Sequence, residues 1–305
     1  MDFVRSEGLI AATFTPFYPN GELNLSIIPQ YAAKLKNSGI SGVFVCGSSG
    51  EGLLMNTEER KDVAEAWIPY AAKNFRIIIH VGSTSTKISK ELTAHANSIG
   101  ANAIGCMGPC CFQPKDTQSL VEFCQEVALS APNLPFYYYH IPNTSGVYVK
   151  MEDFLIMANK VIPNLAGLKF TSMDLMEMLS CATLENKKFD IIHGHDETLL
   201  AGLVLGIKAA IGTTYNFMAP VFNELIKKFQ QKNLNEALEI QTYVNQIIKI
   251  MLSTGSPISG GKAMMKLSGI DCGPCRLPLK NLSDEQIAQL KEKLEGIGYF
   301  DMPWK

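Results

Sequence analysis

A lysine that ends an apolar run is the residue of this sequence best suited to covalent catalysis. Lys169 directly follows the run Leu165–Leu168, and an ammonium group at the end of a buried strand loses solvation, which favours the neutral amine. A neutral amine attacks a ketone to form a Schiff base, and the iminium then accepts electrons from a breaking carbon–carbon bond. A lysine at a strand end can also extend to solvent or pair with a carboxylate, so position alone leaves both interpretations open.

A tyrosine at the end of another apolar run could move the proton that such a reaction requires. Tyr137, Tyr138 and Tyr139 are consecutive, and alternation along a strand places the first and third on one face. A phenol beside a Schiff base can deliver or remove a proton. Aromatic residues in strands often serve packing instead, so the sequence leaves packing as the alternative for Tyr139.

A short loop of small residues could bind an anion. The segment Gly47–Glu51 reads Gly-Ser-Ser-Gly-Glu, and such residues expose backbone N–H groups that suit a carboxylate or a phosphate. It is not a Walker loop, because Lys-Ser/Thr is missing at the required spacing. As a single glycine-serine turn it is weak evidence by itself.

Two other motifs could indicate metal or redox chemistry. His193 and His195 form an H-x-H, but a metal-dependent barrel hydrolase needs such a pair after its first strand, with further ligands on later strands. Cys272 and Cys275 have thioredoxin-like spacing, which requires a helix beginning at the first cysteine, and Pro278 opposes a helix there. The sequence therefore predicts neither a metal site nor a redox site.

Eight short apolar runs, each followed by a longer segment of helical pattern, must position these residues. The runs are continuously apolar rather than alternating, which indicates strands that are buried on both faces and paired in parallel. Their starts are separated by roughly 20 to 35 residues, the length of a strand plus a crossover helix. The predicted strands are Leu9–Thr13, Gly42–Val45, Arg76–Val81, Ala103–Met107, Phe136–Tyr139, Ala166–Lys169, Asp190–Ile192 and Ala209–Gly212.

Helix starts are marked by capping residues. Asn56 and Ser283 are each followed three residues later by Glu or Gln, which predicts two capping boxes, and Asp116 is a third helix start.

Eight β/α units without a linker predict a single α/β domain, residues 1–305, with the TIM (β/α)8 barrel fold. We assign residues 1–232 to the barrel and residues 233–305 to an extension of two or three helices packed on its outside. A doubly wound sheet would need a glycine-rich turn after its first strand, where this chain has Thr13–Pro16. In a barrel the active site lies at the carboxyl ends of the strands, where all the candidate residues fall.

Composition excludes several classes of partner. Twenty-seven Lys and Arg against 29 Asp and Glu give a net charge of −2, so no basic surplus exists for nucleic acid. The strongly apolar stretch Leu199–Ile207 is far short of the ~20 residues that span a bilayer, and the amino terminus has no secretory h-region. Eight scattered cysteines suit a reducing compartment. We expect a soluble, cytoplasmic protein that acts on a small molecule, with no membrane partner.

Taken together, these motifs resemble the family of pyruvate-dependent aldolases that includes dihydrodipicolinate synthase and N-acetylneuraminate lyase. The resemblance runs from about Leu9 to Leu279. It is specific because four motifs occur together, in this order and at the ends of predicted strands. The segments that carry it are Gly47–Glu51, Tyr139–Pro142 with Gly146, Gly167–Thr171, and Gly212–Asn216.

The resemblance implies a class I aldolase. Lys169 would be the Schiff-base nucleophile and Tyr139 the proton relay, while Ser48 and Ser49 would bind the substrate carboxylate. It also implies a homotetramer without a metal or organic cofactor.

The resemblance favours the lyase branch of the family. The synthase branch has an arginine after the tyrosine motif that binds a second carboxylate, whereas this chain has Asn143–Gly146 there. The segment Gly194–Glu197 is similar to the lyase segment whose acidic pair binds the glycerol tail of sialic acid. The implied reaction is reversible cleavage of N-acetylneuraminate to pyruvate and N-acetylmannosamine. The implied substrate-binding residues beyond the serines are Thr171 near the N-acetyl end, Asp196, Glu197 and Thr213 on the polyol, and Gly194 and Gly212.

Three positions depart from the family pattern. Ser49 stands where threonine is usual, Thr213 stands where serine is usual, and Cys110–Phe112 occupies a place where aromatic residues are common. The last departure puts in doubt the aromatic residue that one subunit would contribute across a subunit interface. Two alternatives stay open: an aldolase of the same family for a different 2-keto sugar acid, and a non-enzymatic keto-acid-binding descendant.

Overall fold

Eight parallel strands close into a barrel in sequence order, with β1 paired to β8. The structure is a computed structural model that describes residues 3–302. Each predicted strand agrees with an observed one to within one residue at either end, and the TIM barrel prediction is confirmed. The strands are β1 Gly8–Ala12, β2 Gly42–Val45, β3 Arg76–His80, β4 Ala103–Cys106, β5 Phe136–His140, β6 Leu165–Phe170, β7 Asp190–His193 and β8 Ala209–Gly212.

Helices surround the barrel and connect its strands. Both predicted capping boxes are present, at Asn56 with Glu59 and at Ser283 with Gln286, and the Asp116 side chain accepts a hydrogen bond from the Ser119 N–H. The helices are α1 Ile28–Asn37, α2 Thr57–Trp67, α3 Thr86–Ser98, α4 Thr117–Ala128, α5 Pro142–Ser145, α6 Met151–Ala158, α7 Leu175–Lys187, α8 Leu199–Val204, α9 Tyr215–Gln230, α10 Leu234–Leu252, α11 Pro257–Leu267 and α12 Asp284–Gly296.

The strands are buried on both faces, as their continuous apolar character predicted. In β3, for example, Ile78 belongs to the barrel interior, while Ile77 and Ile79 belong to the layer between strands and helices. This two-layer core is typical of a closed parallel barrel.

The β6 strand contains an irregularity that bears on the site. Its pairing with β5 shifts register between Phe136 and Tyr137, so that Ala166 packs in the barrel interior and Leu168 in the outer layer. Gly167 lies so close to β7 that a Cβ there would be 1.9 Å from the Asp190 carbonyl oxygen. A bulge of this kind re-aims the side chains that follow it.

Three helices, α10, α11 and α12, follow the last barrel helix. The Tyr243 hydroxyl on α10 donates to the Ile297 carbonyl at the end of α12. The prediction of two or three extra helices is confirmed, while the division of one domain at residue 232 stays a prediction. Within residues 3–302, no helix has the length and apolar character needed to cross a membrane.

The segment around the CxxC is irregular rather than helical. Burial raises the pKa of Cys272 to about 12 and that of Cys275 to about 11, which is opposite to what a reactive redox thiol requires. The structure therefore agrees with the prediction that this motif is not a redox site.

Candidate active site

Lys169 lies at the carboxyl end of β6, in register with Tyr139 on one side and Ile192 on the other. Its side chain is buried, with Nζ 3.8 Å from the centroid of the Tyr139 ring and 4.3 Å from that of Phe44. None of the ion pairs among residues 3–302 involves Lys169. The amine therefore lies inside the barrel without a carboxylate partner, as a nucleophile for a ketone requires.

Tyr139 faces the same interior. Its ring packs edge-on against Phe44, at 5.5 Å between centroids, and its hydroxyl lies 3.4 Å from the Ser48 Oγ. Tyr138 points the other way and packs on Phe154 outside the barrel. The predicted alternation is thus confirmed, and the Tyr139 phenol lies between Lys169 and the loop Gly47–Glu51, which we call the serine loop.

The loop after β2 is tightly folded. The Glu51 and Gly52 N–H groups donate to the Ser48 and Gly47 carbonyls, both at 3.1 Å. A Cβ on Gly52 would lie 1.9 Å from the Cys46 carbonyl oxygen, so only glycine fits there. The loop turns back on itself at the mouth of the barrel.

A buried ion pair fixes this loop to the C-terminal extension. The Glu51 carboxylate is 2.7 Å from the Lys262 Nζ on α11 and accepts a hydrogen bond from the Arg276 N–H at 2.7 Å. Lys262 also donates to the Pro274 carbonyl. The sequence analysis did not predict the pairing of Glu51 with Lys262, because no local pattern relates residues so far apart in the chain.

Thr171 and Gly194 come together where β6 and β7 end. A Cβ on Gly194 would lie 2.0 Å from the Thr171 Oγ1, so the glycine makes room for this hydroxyl. The Oγ1 atom is buried and has no hydrogen-bond partner among the described residues. It is therefore available to a ligand.

Asp196 is buried at the end of β7 and faces β8. Its Oδ2 accepts hydrogen bonds from the Thr214 N–H at 2.8 Å and the Thr214 hydroxyl at 2.6 Å. Burial raises the pKa of Asp196 to about 6, although these hydrogen bonds oppose the rise. A Cβ on Gly212 would lie 1.6 Å from the Asp196 Oδ1. Thr214 was not among the predicted site residues, and its two hydrogen bonds orient the carboxylate.

Glu197 is partly exposed, and its side chain pairs with His195. Its Oε1 is 3.3 Å from the His195 Nδ1, and its carbonyl accepts from the Asn245 side chain on α10 at 3.1 Å. The Asp196 carbonyl accepts similarly from Gln241. Helix α10 therefore holds the backbone of the acidic pair, which the sequence analysis did not foresee.

The two histidines of the H-x-H do not converge. The His193 Nε2 lies 3.1 Å from the Thr198 Oγ1, whereas His195 pairs with Glu197. Over residues 3–302, no group of three His, Cys, Asp or Glu side chains is placed to hold a metal ion.

All ten candidate residues therefore lie at the carboxyl ends of barrel strands. Residues 5–297 match the model of the dihydrodipicolinate synthetase family. The chain belongs to this family.

Individual members of the family are similar over nearly their full length. The N-acetylneuraminate lyase of Rattus norvegicus is 40% identical over 303 residues, which cover 98% of this chain and 95% of that protein. The solved N-acetylneuraminate lyase of Proteus mirabilis has 40% identity and a TM-score of 0.94, covering 97% of this chain and all of that one. A sialic acid aldolase of Ruminococcus gnavus, described as a catalytic lysine mutant, has 29% identity and a TM-score of 0.92, covering 98% of each chain.

The two exchanges of hydroxyl residues that the resemblance implies, at Ser49 and Thr213, fall on side chains that touch. The Ser49 Oγ and the Thr213 Oγ1 are hydrogen bonded at 2.6 Å, so a methyl group lost at one position would be regained at its direct partner. Exchanges that conserve volume between touching side chains are well tolerated.

The third departure, Cys110–Phe112, lies after β4. Cys110 packs against the barrel-interior cluster, whereas Cys111 and Phe112 are exposed. An aromatic residue is thus still present in this loop, two positions beyond the side chain that faces the barrel.

Proposed function

We propose that this chain is a Schiff-base-forming aldolase that reversibly cleaves N-acetylneuraminate to pyruvate and N-acetylmannosamine. The observation that carries the proposal is the unpaired Lys169 amine, 3.8 Å from the centroid of the Tyr139 ring inside the barrel. Relatives named N-acetylneuraminate lyase, similar over nearly the whole chain, support the choice of substrate. The catalytic lysine named for the Ruminococcus gnavus relative supports a lysine mechanism.

The reaction begins at the amine. The Lys169 Nζ attacks the C2 ketone of the open-chain sugar acid, and loss of water gives an iminium. The C4 hydroxyl then loses its proton, the C3–C4 bond breaks, and its electron pair moves into the iminium, which becomes an enamine. N-acetylmannosamine leaves, C3 of the enamine takes up a proton, and hydrolysis releases pyruvate and the free amine. The iminium is the electron sink, so the mechanism requires no metal or organic cofactor.

Tyr139 and the serine loop act on the substrate carboxylate and the transferred proton. The N–H and hydroxyl groups of Ser48 and Ser49 bind the carboxylate, in keeping with the anion preference of such loops. Because the Tyr139 hydroxyl is 3.4 Å from the Ser48 Oγ, a carboxylate bound there lies beside the phenol. Tyr139 and that carboxylate then carry the C4 hydroxyl proton.

The remaining residues bind the sugar. Asp196, Glu197 and Thr213 hold the polyol, and Thr171, whose hydroxyl has no partner among the described residues, lies near the N-acetyl end. Gly194 and Gly212 line the pocket because a side chain at either would meet Thr171 or Asp196.

Comparison of two substrates tests the assignment against an aldolase for a different sugar acid. We expect release of pyruvate from N-acetylneuraminate, and much slower release from a 2-keto sugar acid that lacks the glycerol tail. In the Asp196→Asn variant, the amide oxygen can still accept the hydrogen bonds from Thr214. The other carboxylate oxygen, an acceptor, is replaced by an NH₂ group, which only donates. We therefore expect kcat/KM for N-acetylneuraminate to fall by about ten- to a hundredfold, with little change for the shorter substrate.

The control is Glu177→Gln, which changes a carboxylate outside the barrel, near His140. Equal wild-type rates on the two substrates would contradict the sialic acid assignment. Binding of keto acids without any turnover would instead identify a non-enzymatic protein.

We also propose that the protein is a homotetramer, and an apolar surface on α7 supports contact with a second copy. Leu175 and Leu179 are four residues apart and so lie on one side of the helix, next to Met176, which is 78% exposed. Exposed apolar clusters of this kind mark interaction sites. Light scattering should give four times the chain mass of 33.5 kDa, and Met176→Glu should lower it, whereas Leu129→Glu, at an exposed site elsewhere, should not. A wild-type monomer would overturn the proposal.

We propose a cytoplasmic location for this activity. All eight cysteines are free thiols, which suits a reducing compartment.

A further inference from the structure

A histidine in the barrel interior has no role in the mechanism above. His80 ends β3, is buried, and has its ring perpendicular to that of Tyr139 at 5.8 Å between centroids. It also borders a cavity of about 190 Å³ that is lined in part by Ser48 and Met107. It thus lies beside both the Tyr139 ring and the serine loop.

The hydrogen bond of His80 defines its tautomer. Its Nδ1 is 3.1 Å from the Cys46 carbonyl oxygen, and since a carbonyl only accepts, Nδ1 carries the proton. Burial, together with the nearby Arg60 and Lys169 side chains, lowers the pKa of His80 well below its ordinary value. The ring is therefore neutral, and its Nε2 has no partner among residues 3–302.

The carbonyl group that accepts the His80 hydrogen bond is that of Cys46, the residue just before the serine loop. Cys46 has a φ of +59°, a left-handed conformation that is uncommon for a residue with a Cβ and persists only where the surroundings impose it. The carbonyl also lies directly against Gly52, at the other end of the loop. Its direction therefore determines how the loop leaves β2.

A buried arginine holds His80 in turn. The Arg60 guanidinium on α2 donates to the His80 carbonyl at 2.7 Å and to the Gly82 carbonyl at 2.9 Å. The Cys46 thiol donates to the Arg60 carbonyl at 3.7 Å. These contacts form a closed chain from α2 through the end of β3 to the start of the loop.

We propose that His80 is a positioning residue for the carboxylate-binding loop, whose Nδ1–H fixes the Cys46 carbonyl so that the N–H groups of Ser48 and Ser49 face the keto-acid carboxylate. This inference rests on the proposed function. The loop binds the carboxylate in the substrate and in the transition state alike, so loss of this hydrogen bond removes uniform binding and raises KM more than it lowers kcat.

Three substitutions test the contributions of the His80 Nδ1, its Nε2 and its ring separately. His80→Asn keeps an N–H donor where Nδ1 stands, His80→Gln puts its amide where Nε2 stands, and His80→Phe keeps only the ring against Tyr139. In the synthesis direction we expect KM for pyruvate to rise about tenfold in the Gln and Phe variants, the effect of one hydrogen bond, with kcat within about threefold. The Asn variant should recover most of the pyruvate affinity.

The control is His140→Asn, which changes another buried histidine at a strand end, one that packs on Phe170 outside the interior cluster. It should lower the melting temperature without changing KM for pyruvate. An unchanged KM in His80→Phe would overturn the proposal, and so would a loss confined to kcat in all three variants, which would show that the ring only supports Tyr139.

Borohydride trapping distinguishes a failure of the proposed role of His80 from a failure of the proposed function. With saturating pyruvate, wild type and all three His80 variants should form an adduct on Lys169. An absent adduct in wild type would overturn the lysine mechanism and, with it, the role of His80. A normal adduct with KM equal in all four proteins would overturn the role of His80 alone.

Discussion

Lys169→Met should lower turnover of N-acetylneuraminate by at least about 10⁴-fold, because the side chain that forms the iminium is lost. Methionine is unbranched and apolar, and it can occupy the space between the Phe44 and Tyr139 rings where the Lys169 Nζ lies. Removal of a buried amine without an ion-pair partner should not destabilise the fold. We therefore expect an inactive protein whose melting temperature is not lowered.

The measurement is borohydride reduction in the presence of pyruvate, followed by peptide mapping. Wild type should carry the adduct on Lys169, and the variant should carry none. Lys36→Met is a matched control, since Lys36 also lies over two aromatic rings, those of Tyr70 and Phe75, but is outside the barrel. An adduct on a different lysine, or activity without any adduct, would refute the mechanism.

Tyr139→Phe should lower kcat by about 10² to 10⁴, the usual contribution of a general acid–base group. The ring contacts with Phe44 and His80 are kept, and only the hydroxyl beside Ser48 is removed. Folding should be unchanged. Steady-state cleavage rates, together with thermal melting, measure the two effects separately.

Tyr138→Phe is the control for this substitution. The neighbouring phenol is buried outside the barrel interior and packs on Phe154, so its loss should leave turnover near wild type. If the two variants were equally active, Tyr139 would have only a packing role.

The strands and several helix starts were predictable because their signals are local. A continuous apolar run such as Ile77–Ile79 indicates a strand buried on both faces, and Asn56 with Glu59 marks a helix start within four residues. Once the barrel is predicted, the carboxyl ends of its strands follow, and the candidate residues are placed without knowledge of any contact.

The side-chain contacts made by residues at the carboxyl ends of the strands were not predictable from the sequence. The hydrogen bond between Ser49 and Thr213 and the pairing of Glu51 with Lys262 join residues more than 160 positions apart, and neither has a local pattern. The shift of register in β6 was hidden for another reason, since the apolar run before Lys169 looks the same with or without a bulge. Such contacts depend on how complete elements pack together.

The ion pair between Glu51 and Lys262 has a consequence for how this protein can be altered. Separating a buried carboxylate from its cation costs about 3 to 5 kcal/mol, and here the carboxylate belongs to the turn that we propose binds the keto acid. A chain shortened to its eight β/α units would expose that turn to rearrangement even if the barrel still closed. We therefore expect that the barrel of one relative and the C-terminal extension of another can be combined only if they preserve this ion pair. A substitution at either position then constrains which residues the other position tolerates.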